Sequence, residues 1–372
     1  MLKVLRVVSD LYPSVVGGIG LHAHEISKWQ GNHGCDVTVY TLKSGGEPTQ
    51  EFRDGYKIVR FRPMIKIMGN SIAPMFFFKL IHNVDDFDII HAHSHLFFTT
   101  NVCSLIRKIR FIPLVITTHG LIGQTAPYWF SNLYLSSIGK FTLKCADRII
   151  SYTESERKKL TNLGIDKNKI IVIPNGVDTK LFSTIKKQER NSNQILWIGR
   201  FVPGKGVEYL IDAFNILIKE YPNLKLIMIG KGPLKGNIEQ KIQNLNLRKN
   251  ITIMNFVPNS NLPKIYQNSD VFVLPSINEG VPRTILEAMA CGLPIVCTAL
   301  PQLINIVEGC GFLVPLRDPQ ALADAIFRII SDKELAQKLG ENGRKKVVEN
   351  YSWEDTVKRT INLYEEIICQ KY

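Results

Sequence analysis

Two cations and two carboxylates in the second half of the chain have types and spacings that suit a phosphorylated ligand, the cations for its phosphates and the carboxylates beside them. Arg200 and Lys205 stand at either end of a glycine-containing turn, Gly199-Arg200-Phe201-Val202-Pro203-Gly204-Lys205-Gly206, ahead of a helix expected from Val207. A guanidinium pairs bidentately with phosphate oxygens, and an ammonium adds a compact point charge. Glu279 and Glu287 lie in the run Asn278-Glu279-Gly280-Val281-Pro282-Arg283-Thr284-Ile285-Leu286-Glu287. Pro282 suits the first position of a helix, where an N–H would have no partner anyway. The N–H groups of Arg283, Thr284 and Ile285 would then face outward with the positive end of the helix dipole behind them, which makes an anion site. Glu279 would fall just outside that helix and Glu287 inside it, both within reach of one ligand. The plainer account is scattered surface cations and a helix with an acidic cap. The glycine loop shared by Arg200 and Lys205 weighs against it.

The first half offers histidines and glycines. All eight histidines precede residue 120. His91, His93 and His95 alternate at the end of an expected strand and so share a face. Imidazoles are frequent zinc ligands, yet no carboxylate or cysteine lies near them in sequence, and a metal site is not expected. His119 follows the expected strand Pro113–Thr117, at the C-terminal edge where parallel α/β sheets bind ligands; a purely structural histidine is the alternative. Near the start, strand Val4–Ser9 leads through Val16-Gly17-Gly18-Ile19-Gly20 into a helix from Leu21 to Trp29, the opening unit of a nucleotide-binding α/β domain. The turn lacks the G-x-G-x-x-G spacing of a dinucleotide fingerprint.

Taken together, these motifs resemble a known family. Glu279 and Glu287 match the E-x7-E signature of the retaining glycosyltransferases of family 4, which have the GT-B fold. Gly199-Arg200 with Lys205-Gly206, the run Glu287-Ala288-Met289-Ala290-Cys291-Gly292-Leu293-Pro294 and Tyr351-Ser352-Trp353 also look like that family's. The resemblance extends from about residue 4 to about residue 365. It implies an α/β protein of two Rossmann-like, doubly wound domains facing a central cleft. Residues 1–180 would form the acceptor domain, 181–350 the donor domain, and 351–372 a helix crossing back to the first domain. It further implies a UDP- or GDP-sugar donor and a glycan or lipid-linked acceptor, with no cofactor and no metal.

The resemblance also assigns roles. Arg200, Lys205 and the helix start at Arg283 and Thr284 would hold the leaving diphosphate. Glu287 would bind the ribose hydroxyls, and Glu279 the sugar hydroxyls near C3 and C4. His119 would contact the transferred sugar, with Gly17 and Gly18 against the diphosphate and sugar. Gly230, at another strand-end glycine turn, and Val257, whose backbone would lie near the base, complete the donor set. Retention is usually explained in the family by attack on the leaving-group face, the diphosphate taking the acceptor's proton. No carboxylate pair for a double displacement is evident on the acceptor side, which fits. A GT-B sugar-nucleotide epimerase and a non-catalytic sugar-nucleotide-binding subunit of an assembly complex are the rival readings. A nicotinamide dehydrogenase fits poorly without its glycine fingerprint.

Composition sets the frame for these motifs. A chain of 372 residues, 45% hydrophobic and 21% charged, has the length of two ordinary globular domains. Its first residues read as a strand rather than a signal peptide, and no uncharged apolar run reaches the roughly 18 residues of a membrane span. Seven cysteines without a C-x-x-C pair fit reduced thiols. The expected location is the cytoplasm, peripheral at the inner face of the cell membrane. Net charge is +13, and residues 89–146 contain no Asp or Glu. With no nucleic-acid module evident, such a surface points to phosphate or anionic lipid. Pro63–His82, rich in Met, Ile and Phe with Lys66 and Lys79, reads either as a core helix pair or as a membrane-facing segment. Thr184–Gln194, polar and basic, reads as the linker.

Overall fold

The computed structural model describes residues 1–15, 17–67, 70–121, 128–184 and 193–370. The chain forms two compact units, one of Met1–Pro174 with Trp353–Tyr372 and one of Asn175–Ser352. The division at Pro174 precedes the boundary expected at residue 180. The expected linker falls largely on 185–192, outside the described residues.

The first unit is built on an eight-stranded sheet ordered Ile170–Val172, Arg148–Ser151, Leu114–Thr117, Ile89–His93, Lys3–Val7, Asp36–Leu42, Tyr56–Phe61, Gln50–Arg53. All neighbours are parallel except the last pair. Alternation along the central strands feeds two apolar layers. Leu5, Val7, Ile90 and Ala92 join one, and Val4, Val8 and Ile89 join the other. Buried on both faces, the strands Lys3–Val7 and Ile89–His93 are apolar at every buried position except Arg6, His91 and His93, which share the second face. The second layer is closed by Leu363, Tyr364 and Ile367 of the helix Trp353–Cys369. Each such buried side chain contributes roughly 1.5–3 kcal/mol before ordering costs. That helix begins at Trp353, two residues after the start expected at Tyr351.

The second unit holds six parallel strands ordered Ile251–Met254, Lys225–Ile229, Gln194–Ile198, Val271–Leu274, Ile295–Thr298, Gly311–Val314. By rank in the chain this is 3-2-1-4-5-6, the doubly wound nucleotide-binding order. Ile195 and Trp197 pack on one side of the sheet and Leu196 on the other. The order reverses between Gln194–Ile198 and Val271–Leu274. The helices that follow these two strands, Val207–Leu217 and Arg283–Ala290, lie in opposite apolar layers, which leaves a crevice at the C-terminal ends of the strands.

The expected helix pair at Pro63–His82 is not what forms. A short hairpin, Ile65–Ile67 with Asn70–Ile72, precedes one helix, Pro74–Asn83. Only Phe76 and Leu80 of that helix are buried, while Met75 and Phe78 are exposed. Met68 and Gly69 lie outside the described residues.

Candidate active site

In the second unit, the strand Gln194–Ile198 ends at Gly199-Arg200 and the strand Val271–Leu274 leads to Glu279, so the reversal of strand order sets both beside one crevice. The loops interlock through glycine. A Cβ on Gly206 (φ +59°) would stand 2.1 Å from the Pro275 carbonyl oxygen, and one on Gly230 only 1.7 Å from that of Gly199. Neither position tolerates a side chain without moving backbone, which fixes the turn carrying Lys205 against the loop carrying Glu279. Ile277 N–H donates to the Gly204 carbonyl at 2.9 Å and joins the two loops directly.

Across that junction the Lys205 ammonium donates to Glu279 Oε1, which also accepts the Ser276 hydroxyl at 3.1 Å. The Lys205 and Glu279 side chains are only 12% and 7% exposed. Gln302 donates its amide to the Glu279 carbonyl. Arg200 is exposed at the opposite end of the turn. Val257 is buried in the apolar layer beneath.

The helix carrying the second carboxylate is Arg283–Ala290, with Pro282 as its extended N-cap rather than its first residue. The Arg283 side chain does not reach outward with the helix start. It turns along the helix to Glu287, 3.6 Å away, while Tyr266 donates its hydroxyl to the other Glu287 oxygen at 2.9 Å. Burial raises the Glu287 pKa, opposed by Arg283 and by the Tyr266 hydrogen bond. Tyr266 was not foreseen from sequence, where nothing marks it apart from other core aromatics.

The first unit gathers its own polar cluster on the face shared by Val4 and Ile89. Arg6, wholly buried, donates through Nη1 to His91 Nδ1 at 3.1 Å and to His93 Nε2 at 2.9 Å, and through Nη2 to Gln30. His93 Nδ1 lies 2.8 Å from His119 Nε2. The Tyr152 hydroxyl lies 2.9 Å from His119 Nδ1 and 3.3 Å from His22 Nδ1. His95 does not share the face expected for it. The strand ends at His93, Ser94 adopts φ +67°, and the His95 ring turns toward Gly139.

His119 itself sits at φ +55°, a conformation that costs a non-glycine residue about 1 kcal/mol or more. Glu156 holds it there, accepting from the Thr118 hydroxyl at 2.7 Å and the Gly120 N–H at 3.2 Å on either side. The sequence carries a signal for Glu156, since Thr153-Glu154-Ser155-Glu156 has the spacing of a capping box; Glu156 N–H donates to Thr153 Oγ1, while its carboxylate also accepts the Tyr152 N–H at 3.1 Å. Burial, then the Arg6 charge, lowers the His119 pKa to about 3. His91 and His93 are likewise pushed well below the usual histidine range by burial.

His22, His93 and His119 bring ring nitrogens within 4.8 Å of one another, a spacing that could hold a metal ion. Arg6 opposes that use. A guanidinium has only donors, so His93 Nε2 must offer its lone pair to Arg6 and the Nδ1 facing His119 must carry the proton, leaving it nothing to give a metal.

At the first glycine turn, a Cβ on Gly20 would stand 2.8 Å from the Asp10 carbonyl oxygen, whereas Cβ atoms on Gly17 and Gly18 would meet nothing within 4 Å. Gly17 is extended. Only Gly20 is required by the fold; Gly17 and Gly18 leave open space. Val16 lies outside the described residues.

Two units of largely parallel sheet, the second with interlocked glycine loops at a strand-order reversal, define a doubly wound class of α/β protein, and comparisons give the family. The description Glycosyl transferases group 1 matches residues 179–346, and Glycosyltransferase Family 4 matches residues 16–181. The chain is 29% identical to the UDP-Gal:alpha-D-GlcNAc-diphosphoundecaprenol alpha-1,3-galactosyltransferase of Escherichia coli over 91% of each chain. It is 31% identical to the capsular polysaccharide biosynthesis glycosyltransferase CapM of Staphylococcus aureus, over 65% of this chain and 68% of that one. The solved sucrose-phosphate synthase from Thermosynechococcus elongatus shares the fold, with a TM-score of 0.86 over 100% of both chains at 24% identity. The chain has the GT-B fold. It belongs to the group 1, or family 4, glycosyltransferases, and it is a glycosyltransferase.

Proposed function

We propose that this chain transfers a sugar, with retention and without a metal, from a UDP- or GDP-sugar to a lipid-linked or glycan acceptor. The observation carrying the reading is the Lys205–Glu279 pair, set on interlocked glycine loops beside the strand-order reversal of the second unit. Breaking the bond from the anomeric carbon to the diphosphate leaves negative charge on phosphate and positive charge on the sugar ring. Arg200, Lys205 and the N–H groups at Arg283 and Thr284 meet the first; Glu279 holds sugar hydroxyls, and Glu287 those of the ribose. Such preorganised groups act without rearrangement at the moment of reaction. Gly230 and Val257 serve the donor through their backbone, Gly17 and Gly18 leave it room, and His119 serves the transferred sugar. The Escherichia coli relative, named for a UDP-galactose donor and a diphosphoundecaprenol-linked acceptor, supports a UDP-sugar and a lipid-linked acceptor as the first pair to assay.

A panel of nucleotide sugars, read by mass spectrometry of the products, tests the activity. The NMR coupling constant of the new anomeric proton tests the stereochemistry. The product is expected to keep the donor's anomeric configuration, and an inverted product would refute retention. Activity is also expected to survive EDTA, because cations and a helix start do the work that Mg²⁺ does elsewhere. Loss with EDTA and rescue by Mn²⁺ would refute that.

The reading extends to a membrane surface, at the cytoplasmic face. The helices Pro74–Asn83, Phe98–Arg110 and Lys140–Cys145 pack in sequence along one side of the first unit. They and the residue after the second of them expose Met75, Phe78, Ile109, Phe111 and Phe141, with Lys79, Lys108 and Lys144 among them. Arg107 is not available to lipid, because it forms a bidentate pair with Asp147, and Arg110 lies 3.4 Å from Asp85. No described helix is long and apolar enough to cross a membrane. Each exposed cation near an anionic leaflet contributes about 1 kcal/mol. Co-sedimentation with anionic liposomes is therefore expected, weakening with salt and falling when Lys66, Lys79 and Lys108 become Glu. A protein left in the supernatant at low salt would sink this extension.

A further inference from the structure

Arg6 is an unusual use of a fixed charge. It is wholly buried on the strand Lys3–Val7, and it pairs with two imidazoles, an amide and the Tyr364 hydroxyl. Burying an arginine is costly, and an apolar residue on this face would join Val4 and Val8 in the core. What the guanidinium adds is direction. It can only donate, and it does not lose its proton.

That single constraint propagates. Since Arg6 Nη1 donates to His93 Nε2 at 2.9 Å, the neutral His93 ring carries its proton on Nδ1 and donates to His119 Nε2 at 2.8 Å. His119 then carries its own proton on Nδ1, the ring nitrogen nearer Tyr152, and donates to the Tyr152 hydroxyl at 2.9 Å. With that oxygen accepting, the Tyr152 proton points to His22 Nδ1 at 3.3 Å. Arg6 also reaches His91 Nδ1 at 3.1 Å, a nitrogen that the Tyr364 hydroxyl approaches as well. Along the line from His93 through His119 to Tyr152, each proton points away from Arg6.

We propose that Arg6 is a positioning residue for sugar transfer: acting through His93, it fixes His119 as the Nδ1–H tautomer and orients the Tyr152 hydroxyl. The inference rests on the reading of this chain as a transferase whose His119 serves the transferred sugar. The groups facing His119 are His93 from the strand Ile89–His93, Tyr152 after the strand Arg148–Ser151, His22 from the helix Gly18–Asn32, and Arg6 behind His93. No carboxylate among these favours an imidazolium; Glu156 takes the flanking Thr118 and Gly120 instead. A neutral imidazole of fixed tautomer does not repel the positive charge that develops on a sugar ring during transfer, and burial, helped by the Arg6 charge, keeps it neutral at any ordinary pH.

Histidine side-chain ¹⁵N NMR of the labelled full chain reads the tautomers without a mutation, His119 being assigned by loss of its signals in His119→Gln. The expected wild-type result is a proton on Nδ1 of both His93 and His119, unchanged from pH 8 to pH 5. In Arg6→Met, which removes charge and donors, His93 and His119 are expected to mix tautomers, while burial still holds both rings neutral. Transfer should then fall severalfold in kcat with its pH profile still flat. Arg6→Lys, which keeps a donating cation, should restore both the tautomers and the rate. A wild-type His119 protonated on Nε2 overturns the proposal, and that spectrum decides even if Arg6→Met fails to fold. An Arg6→Met protein with unchanged tautomers and kcat overturns it equally. Should the tautomers stand while no nucleotide sugar is consumed, the transferase reading falls and the order imposed by Arg6 does not.

Discussion

Arg200→Ala and Lys205→Ala are each expected to lower kcat/KM for sugar transfer by about 10²-fold or more, the usual loss when one preorganised contact to developing charge is removed. The two variants should differ in stability. Arg200 is exposed, so its truncation leaves the melting temperature near the wild-type value. Lys205 is the ammonium partner of a Glu279 side chain only 7% exposed. Its loss leaves a nearly buried carboxylate with the Ser276 hydroxyl, at a cost of about 1–3 kcal/mol, read as a drop of several degrees. Initial rates with the best donor, beside thermal melts, check both halves. Near-native transfer by both variants would refute the phosphate clamp.

Glu279→Gln is expected to act in opposite directions on two measurements. Glu279 pairs with the ammonium that a diphosphate would take. A bound nucleoside diphosphate must therefore displace or share Lys205, and it meets a nearby negative charge. Two unit charges about 4 Å apart near a protein surface interact by up to about 4 kcal/mol. Relieving a third of that is about a tenfold change in affinity. Calorimetric titration with UDP or GDP alone should thus show tighter binding to Glu279→Gln. Transfer should fall about 10²-fold, because the amide holds the sugar hydroxyls poorly. Weaker nucleotide binding would show that Glu279 supports the diphosphate site rather than competing for it.

Much of the fold was legible because its physics is local. Strands such as Leu114–Thr117 and Val271–Leu274 are buried on both faces and read as unbroken apolar runs. The reversal of strand order that sets Arg200 and Glu279 beside one crevice is not written in any local run, and it entered through resemblance to a family. Two elements escaped for identifiable reasons. The helix Lys333–Asn350 was not anticipated because it packs through glycine: a Cβ on Gly340 would stand 2.2 Å from the Gly292 carbonyl oxygen, and only Leu339 and Val347 are its buried apolar residues. The hairpin of Ile65–Ile67 with Asn70–Ile72 escaped because Ile65 and Ile67 are exposed, which inverts the pattern that marks a core helix.

The candidate site was legible where one loop carries the chemistry, as with Arg200 and Lys205. It was not legible where the chemistry depends on distant strands. Arg6 lies 85 residues from His91 yet pairs with it in register, and Tyr364 reaches the same imidazole across 273 residues. No spacing rule links such positions. A lone arginine in an apolar strand is a signal of a kind, for a charge there needs a reason, but it does not say which histidine it serves.

The first unit has a further property, which concerns synthesis rather than catalysis. Its polypeptide is interrupted: residues 175–352 make the second unit before Trp353–Cys369 returns to the first. Domains tend to fold as they leave the ribosome. The second unit can therefore complete its sheet as one continuous stretch, while the first waits with Val4, Val8, Val37 and Ile58 lacking the cover of Leu363, Tyr364 and Ile367. The nascent chain thus carries an unfinished N-terminal sheet through the translation of some 180 residues. A stop codon shortly before Trp353 would damage the earliest-made unit and spare the latest-made one.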